Sequence, residues 1–456
     1  MRVCHTIQPV FDDPNLVAFG GLPAVMRLAE QAGLHELVEQ HLTLPGTAGA
    51  NAAIKVSALI AGMVVGADSI SDMDVLRHGG MGRVFDGLRA ATTLGTHLRA
   101  YRFGHVRQLD AVASRLLIKL AGLSPILDGA DQLTFVDVDD TIRETHGYRK
   151  QGAAYGYSRV KGLNAILATI STPNAAPVIA ATRLRKGNVS SARGAARLIG
   201  DTLATLRRAT TPSLVIVRAD SAYFNHATIA AITVGGARFS ITARMNTAVT
   251  RAITTINDTD WTTIRYPQAI YDEAQQVWIS DAEVAEVPFT AFTSRRKADH
   301  VTARLVVRRV RRLNPNAKAQ GELLPGYRYH AVFTNSTFAL VDAEACHRDH
   351  AIIEGVFADL KDGPLAHAPS GKFMANSAWL ALTAMAFNLT RAAARIASKT
   401  LGRARTSTVR RTLIQVAARI ANQARTWLLH LPRNWPWEPQ LATLYNAAFG
   451  PPAAAT

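Results

Sequence analysis

The stretch Leu133-Thr134-Phe135-Val136-Asp137-Val138-Asp139-Asp140-Thr141 joins a run of β-branched and aromatic residues to a carboxylate-rich end. Residues of the first kind favour a strand. An acidic side chain that faces a buried sheet is destabilising unless it is paired or binds a metal ion. Because side chains alternate along a strand, Asp137 and Asp139 share one face and Asp140 points to the other. The stretch therefore predicts a strand that brings carboxylates to a functional edge; the alternative is a strand that runs out into a polar turn.

The residues that follow predict a sheet built around this strand. Residues 162–170 and 178–183 have strand composition, residues 190–208 have helical spacing, and residues 213–217 form a further apolar strand. Three consecutive strands, a helix and another strand indicate a mixed sheet with helices on its faces. We therefore expect an α/β fold whose order fits a ribonuclease H-like core.

A second aspartate follows the last of these strands. The run Leu214-Val215-Ile216-Val217-Arg218-Ala219 leads directly to Asp220 and Ser221. Ligand sites in open α/β sheets lie at such strand ends. An aspartate before a serine can also simply cap the next helical turn, so this motif is weak by itself.

A third carboxylate lies in the stretch 346–361. At helical spacing, four polar residues fall within a sector of about 60°: His347, His350, Glu354 and Lys361. A neighbouring apolar stripe is formed by Ile353, Val356, Phe357 and Leu360. A glutamate beside a buried stripe, with groups that can carry positive charge around it, suits metal binding next to a phosphate backbone.

Between the second and third carboxylates, residues 236–344 have the pattern of short strands with turn breaks and predict a β-rich insertion. Residues 295–318 contain nine basic residues, among them Arg308, and one acidic residue. Trp261 and Trp278 precede them in strand-like surroundings. Cations beside aromatic rings suit DNA bases that have left the stack. Alternatively, both tryptophans fill a small core and the arginines are solvated.

Helical spacing dominates both ends of the chain. It runs from about residue 15 to 122, and again through 376–397 and 408–429. Between residues 391 and 430 there are nine basic residues, including Arg410 and Arg411, and no acidic one. This pattern is typical either of a solvated basic face or of a phosphate-binding surface.

Composition narrows the class of partner and compartment. Lys and Arg outnumber Asp and Glu by 51 to 34, which gives a net charge of +17 and favours a polyanionic partner. The uncharged apolar runs are shorter than the roughly 20 residues of a membrane-spanning helix. With no apolar signal segment, and with Cys4 and Cys346 as the two cysteines, we expect a reducing cytoplasm.

Together these elements resemble the DDE transposases of bacterial insertion sequences, whose third carboxylate lies in a helix patterned Tyr-x2-Arg-x3-Glu-x6-Lys. This chain has His347-x2-His350-x3-Glu354-x6-Lys361, so the spacing matches throughout, Glu and Lys match in identity, and His replaces Tyr and Arg. The neighbouring Arg348 is then the candidate for an arginine's phosphate contact.

The strand Asp-x-Asp-x-Thr, the strand end Arg-x-Asp-Ser and the run 370–376 with Asn388-Leu389 are similar to the insertion-sequence family numbered 1380. The resemblance implies that Asp139, Asp220 and Glu354 are catalytic and bind two Mg²⁺ ions, with Mn²⁺ as a substitute. Asp139 matches the first catalytic position, while Asp137 and Asp140 stay open as alternatives. Two ions suit phosphoryl transfer because one activates the attacking oxygen and the other stabilises the leaving oxygen.

The resemblance also implies a homodimer on paired DNA ends, with terminal inverted repeats and target DNA as partners, and a base flipped onto Trp261 or Trp278. The expected DNA-binding residues are His347, Arg348, His350, Lys361, Trp261, Trp278, Arg308, Arg410 and Arg411. No membrane partner is expected.

The expected organisation has five parts: a helical DNA-binding region (1–125), the first part of the core (126–235), the β-rich insertion (236–344), the second part of the core with the Glu helix (345–395), and a basic helical region (396–456). The expected function is cut-and-paste DNA transposition in a bacterial cytoplasm, associated with the nucleoid. The alternatives are a nuclease of the same fold without strand transfer, an inactive DNA-binding derivative of a transposase, and a transition-metal site at His347, His350 and Glu354. The last would leave Asp139 and Asp220 without a role.

Overall fold

A computed structural model describes residues 1, 5–146, 150–157, 159–265, 271–272, 277–278, 282–311, 327–423 and 426–450. Its helices are α1 (Leu22–Gln31), α2 (Leu34–His41), α3 (Gly46–Gly49), α4 (Ala52–Val65), α5 (Met81–Val84), α6 (Ala91–Arg99), α7 (Phe103–Leu123), α8 (Ala195–Ala209), α9 (His226–Val234), α10 (Thr247–Ile253), α11 (Leu340–Arg348), α12 (Ile352–Lys361), α13 (Phe373–Ala397), α14 (Thr406–Val409) and α15 (Glu438–Phe449).

The strands are β1 (Leu16–Val17), β2 (Leu133–Glu144), β3 (Ala154–Tyr155), β4 (Lys161–Ser171), β5 (Val178–Lys186), β6 (Leu214–Ala219), β7 (Arg238–Thr242), β8 (Thr262–Ile264), β9 (Tyr271–Asp272), β10 (Val277–Trp278), β11 (Ala282–Ala291), β12 (Val301–Arg311), β13 (Tyr327–Thr334), β14 (Ala418–Gln423) and β15 (Thr426–His430).

The chain divides into two compact units, and the division falls within α12. The first comprises Met1–Ile126, Arg149–Gln151 and Asp359–Thr456; the second comprises Leu127–Tyr148 and Gly152–Ala358. The five parts expected from the sequence do not coincide with these units, because both ends of the chain belong to the first unit. None of the described helices combines the length and the apolar character needed to cross a membrane.

The second unit is built on a mixed sheet of ten strands in the order β3-β4-β2-β6-β7-β13-β12-β11-β8, with β5 also paired to β4. β2 is antiparallel to β4 and parallel to β6, which is in turn parallel to β7. β4 is buried at almost every position, as expected of a strand covered on both faces. The amphipathic α8 packs on β2, β4 and β5 through its buried leucines. The expected mixed α/β sheet is confirmed.

The β-rich segment is an extension of this sheet. β7 continues the order from β6, and β13 pairs with β7 antiparallel. β12, β11 and β8 then follow by antiparallel pairing. The segment is β-rich, and its strands lengthen the core sheet; that it is an insertion into a ribonuclease H-like core stays a prediction.

The first unit is organised around α13, a helix of 25 residues that is buried on nearly all sides. It packs against α4, α7 and α15. Sequence analysis assigned α13 to the catalytic core, whereas it belongs to this unit.

The helix expected over residues 408–429 is wrong. α14 ends at Val409, a short π-helix spans Arg410–Ile414, and β14 and β15 then form an antiparallel hairpin that joins β1. Burial alternates along Val416–Ile420, which is the pattern of a strand.

Candidate functional site

Two aspartates lie side by side at the centre of the large sheet. β2 and β6 are neighbouring parallel strands with Val138 opposite Ala219, so Asp139, the next residue of β2, lies beside Asp220, which directly follows β6. The Asp139 carboxylate accepts the backbone N–H of Asp140 at 2.7 Å. That of Asp220 accepts the N–H of Ala222 at 2.9 Å, as the cap of the turn after β6.

The surroundings of both carboxyls disfavour their negative charge. Burial raises the pKa of Asp139 to about 6, and the adjacent Asp220 carboxylate adds to this rise. Crowding by protein atoms raises the pKa of Asp220 as well, although part of its surface faces solvent. Two crowded carboxylates of this kind are suited to share a divalent cation, since hard cations prefer oxygen ligands.

Asp137 lies on the same face but is fully engaged. Its two oxygens accept from Nε and Nη2 of Arg218 at 2.7 and 2.8 Å, and Oδ1 also accepts from Nδ1 of His350 at 2.9 Å. Sequence analysis gave Arg218 no role. The signal was present, however, because an arginine interrupts the apolar strand directly opposite Asp137 in register.

Asp140 points to the opposite face, as expected. Its carboxylate accepts from the Asn164 side chain at 2.5 Å and pairs with the buried guanidinium of Arg185. Arg185 also donates to backbone carbonyls of Ser191 and Arg193, ahead of α8. Of the three neighbouring aspartates, Asp137 and Asp140 are thus committed to buried ion pairs.

The two histidines of the third motif are held differently from the single helical face expected. α11 ends at Arg348, a 3-10 turn spans Asp349–Ala351, and α12 begins at Ile352. Both ring nitrogens of His347 bond hydroxyls of β7, those of Ser240 at 3.0 Å and Thr242 at 2.9 Å. Burial lowers the pKa of His347 to about 3, so the ring is neutral and the expected cation is absent at this position.

Glu354 lies one turn after His350 and is exposed. It lines a pocket of about 240 Å³ with His350, Arg348, His330 and Arg308. Across the described residues, no group of three or more His, Cys, Asp or Glu side chains is close enough to hold a metal ion. Asp139 and Asp220 are therefore brought together, whereas Glu354 does not join them in one cluster in this structure.

Of the other expected DNA-binding residues, Arg308 and Arg348 are both tied to Glu344. Arg308 donates to the buried Glu344 carboxylate at 2.9 Å, and Arg348 lies 3.5 Å from it. Part of their charge is thus neutralised within the second unit. Arg348 remains exposed beside the pocket.

The three basic candidates in the first unit differ in exposure. Lys361, at the end of α12, and Arg411 are exposed. Arg410 is buried, with contacts to the Thr406 hydroxyl and the Asp362 carbonyl, and burial lowers its pKa. A phosphate-binding role expected for Arg410 is opposed by this burial.

Trp261 belongs to an aromatic stack at the far side of the sheet. The Arg309 guanidinium lies 4.1 Å from its ring centre and 4.6 Å from that of Tyr327, and donates to Glu283 at 2.7 Å. Cation and aromatic rings occur together here as expected, but they contact one another. The side chain of Trp278 lies outside the described residues.

The family model described as transposase DDE domain group 1 matches residues 4–448, almost the whole chain. No curated protein matches the chain.

Proposed function

The chain belongs to the family of transposases with a DDE domain, group 1, and from this premise we propose that it binds the terminal inverted repeats of an insertion sequence and catalyses metal-dependent DNA cleavage and strand transfer. One observation carries the proposal: two crowded carboxylates lie side by side on adjacent parallel strands, Asp139 within β2 and Asp220 directly after the last residue of β6. Ligand sites of open α/β sheets form at the carboxyl ends of strands, where Asp220 lies.

Asp139 and Asp220 are the first two catalytic residues of this proposal. The choice of Asp139 over its neighbours is supported by the pairing of Asp137 with Arg218 and of Asp140 with Arg185. Withdrawing either neighbour for metal binding would leave a buried guanidinium without its partner, which costs several kcal/mol. Asp139 has no such commitment to a cation among the described contacts.

Glu354 is the proposed third carboxylate, and Mg²⁺, with Mn²⁺ as a substitute, is the proposed metal. The oxygen-only donor set of Asp139, Asp220 and Glu354 fits these ions better than it fits zinc. When bound, a pair of such ions would stabilise the attacking and the leaving oxygens of the phosphate. The chain's part is to fix the carboxylates on β2, β6 and α12.

The proposed substrate is duplex DNA, contacted by exposed cations. A net charge of +17 supports a polyanionic partner. Arg348, Lys361 and Arg411 are exposed and are the stronger candidates for phosphate contacts, and His350 lies within electrostatic range of Asp139. The neutral His347 supports its neighbours structurally instead.

The remaining features of the proposal rest on the order of the strands and on what the family resemblance implies. We propose a ribonuclease H-like core, supported by the order β5-β4-β2-β6-β7, with the first three strands antiparallel and the last two parallel to β2. We also propose membership of the insertion-sequence family numbered 1380, action as a homodimer on paired ends, and residence in a bacterial cytoplasm with the nucleoid.

The test combines purified protein with DNA that carries the inverted repeats flanking its own gene, with and without Mg²⁺, and maps cleaved and joined products. Metal-dependent cuts at the repeat boundary and joined target DNA are expected. Cuts without joined products would indicate a nuclease instead, and specific end binding without cuts would indicate an inactive derivative.

A further inference from the structure

A buried ion pair precedes the two proposed catalytic aspartates along β2 and β6. Asp137 and Arg218 face each other in register on β2 and β6, each two residues before an aspartate of the pair. Their side chains are almost completely buried, and the guanidinium stacks 4.2 Å from the centre of the Phe135 ring. A bidentate ion pair of this kind fixes the relative orientation of the two side chains and also balances their charges.

This pair reaches the turn that leads to Glu354. Nη1 of Arg218 donates to the Cys346 carbonyl at 2.7 Å, and Oδ1 of Asp137 lies 2.9 Å from Nδ1 of His350. A carboxylate only accepts, so Nδ1 carries the proton. Nε2, on the other side of the ring, is therefore directed away from Asp137.

The ring held in this way adjoins the proposed reaction centre. His350 lies within electrostatic range of both Asp139 and Asp220, where it offsets part of the rise in the pKa of each. His350 also lines the pocket that includes Glu354. It thus links the buried ion pair to the surroundings of Asp139 and Asp220 on one side and to the pocket that Glu354 lines on the other.

We infer that Asp137 and Arg218 are positioning residues for DNA cleavage, which hold the His350 ring against the phosphate bound at Asp139 and Asp220. The inference rests on the proposed function. Asp137 and Arg218 are buried and act through His350. Residues that form hydrogen bonds to a functional side chain and fix its orientation contribute about 10- to 100-fold to activity in comparable sites.

The test must avoid a lone buried charge, because removing one partner of such a pair threatens folding. Two double variants are therefore compared: Asp137→Asn with Arg218→Met, and Asp137→Leu with Arg218→Met. Both lack the ion pair and the bond to Cys346, but the first keeps an acceptor for Nδ1 of His350. In single-turnover assays on element-end DNA, the Asn variant should cleave about 10- to 100-fold faster than the Leu variant at equal DNA affinity, because it keeps the acceptor for Nδ1 of His350.

Adding His350→Ala provides the decisive comparison. In the Leu variant, His350→Ala should not lower the cleavage rate further, because the ring is already released. In the Asn variant, it should lower the cleavage rate by the same factor that separates the two double variants. Equal rates for the two double variants, or independent losses when His350→Ala is added, would overturn the inference.

A second measurement does not depend on activity. In protein with ¹⁵N-labelled histidine, the hydrogen-bonded Nδ1–H of His350, assigned by its loss in His350→Gln, should appear in the wild type and the Asn variant and disappear in the Leu variant. Its absence from the wild type would overturn the inference even if the protein cleaves DNA. Its presence in a wild type that does not cut its element ends would instead count against the proposed function.

Discussion

At the scale of single residues, the commitments of neighbouring aspartates decide what each can do. Along β2, Asp137 and Asp140 stabilise buried arginines on opposite faces, while Asp139 and Asp220 are crowded together without such a partner. Adjacent carboxylates that repel each other weaken the fold, and a bound cation relieves that repulsion. Stability and catalysis should therefore respond to these two positions in opposite directions.

Replacing Asp139 or Asp220 by asparagine should abolish cleavage and, in metal-free protein, raise the melting temperature by a few degrees because one repelling charge is gone. Added Mg²⁺ should stabilise the wild type and not the variants. Thermal unfolding with and without Mg²⁺ measures both effects.

Asp201→Asn is the matched control: it removes a carboxylate that pairs with Arg183, so no rise in the melting temperature is expected. A lower melting temperature for both site variants would contradict mutual repulsion, and full activity of Asp139→Asn would move the first catalytic position to Asp137 or Asp140.

His347 should produce a pH dependence of stability. Its pKa is about 3 in the folded protein against an ordinary value of 6.5. Protonation of His347 therefore favours the unfolded chain. The contribution of neutral His347 to the free energy of unfolding is fully present above the pKa of the unfolded chain. It is lost as the pH falls towards 3, by up to about 1.4 kcal/mol per pH unit. His347→Gln can still bond Ser240 and Thr242 but does not titrate. The free energy of unfolding, measured by urea titration at several pH values in this range, should change less steeply with pH in the variant than in the wild type. An identical pH dependence would show that His347 is not held neutral.

At the scale of elements, strands with strong composition were predictable and those built from small residues were not. β2, β4, β5 and β6 were expected within a few residues of their bounds because each contains an apolar run with β-branched residues, bounded by turn signals. β14 contains two alanines in a six-residue run that reads as helical, and its pairing with β1 joins positions about 400 residues apart, as in Leu16 with Arg419. Such non-local pairing overrides local propensity, which is why the hairpin was missed.

The same limit applies to the candidate site. Motif spacing and the family resemblance predicted Asp139, Asp220 and Glu354, but only tertiary contacts distinguish Asp139 from Asp137 and Asp140. A continuous helix from His347 to Lys361 was also assumed, and the 3-10 turn at Asp349–Ala351 instead directs His347 towards β7 and His350 towards Asp137. A single offset in a helix changes which side chains share a face.

The stack on β8, β12 and β13 leads to a prediction about stability. Trp261→Ala removes a ring that covers Arg309, and should lower the free energy of unfolding by about 1–3 kcal/mol, whereas Trp261→Phe should recover part of it. Urea unfolding of both variants checks this. If Trp261→Ala left stability unchanged but slowed end processing, Trp261 would act on DNA instead.

If Trp261 contributes to stability as expected, Trp278 is the remaining candidate for stacking against a flipped base. Trp278→Ala should slow end processing without lowering the melting temperature, and an end that lacks the flipped base should partly restore the rate, since base–aromatic stacking contributes about 1–3 kcal/mol. Loss of folding in this variant would remove base flipping from the proposal.

At the scale of the whole molecule, the count of 51 Lys and Arg residues overstates the number of cations available to DNA. Arg185 and Arg218 are buried in ion pairs within the second unit, and Arg391 lies 3.8 Å from Asp359 in the first. Arginines that hold elements together cannot also release counterions from DNA. Exposure, and not position in a basic run, should therefore predict which cations contribute to binding.

The adjacent pair Arg410 and Arg411 tests this directly, because both belong to one basic run but only Arg411 is exposed. Arg411→Ala should lower the slope of log affinity against log salt by about 0.9 if its phosphate contact is lost, with little change in melting temperature. Arg410→Ala should leave the salt slope unchanged, but should lower the melting temperature, because Arg410 is buried and donates to the Asp362 carbonyl. Titrations of element-end DNA at several salt concentrations, with thermal unfolding of each variant, measure both quantities. A slope that changes for Arg410→Ala and not for Arg411→Ala would mean that the buried side chain becomes exposed on DNA binding, and exposure in the free protein would then be the wrong guide to the DNA surface.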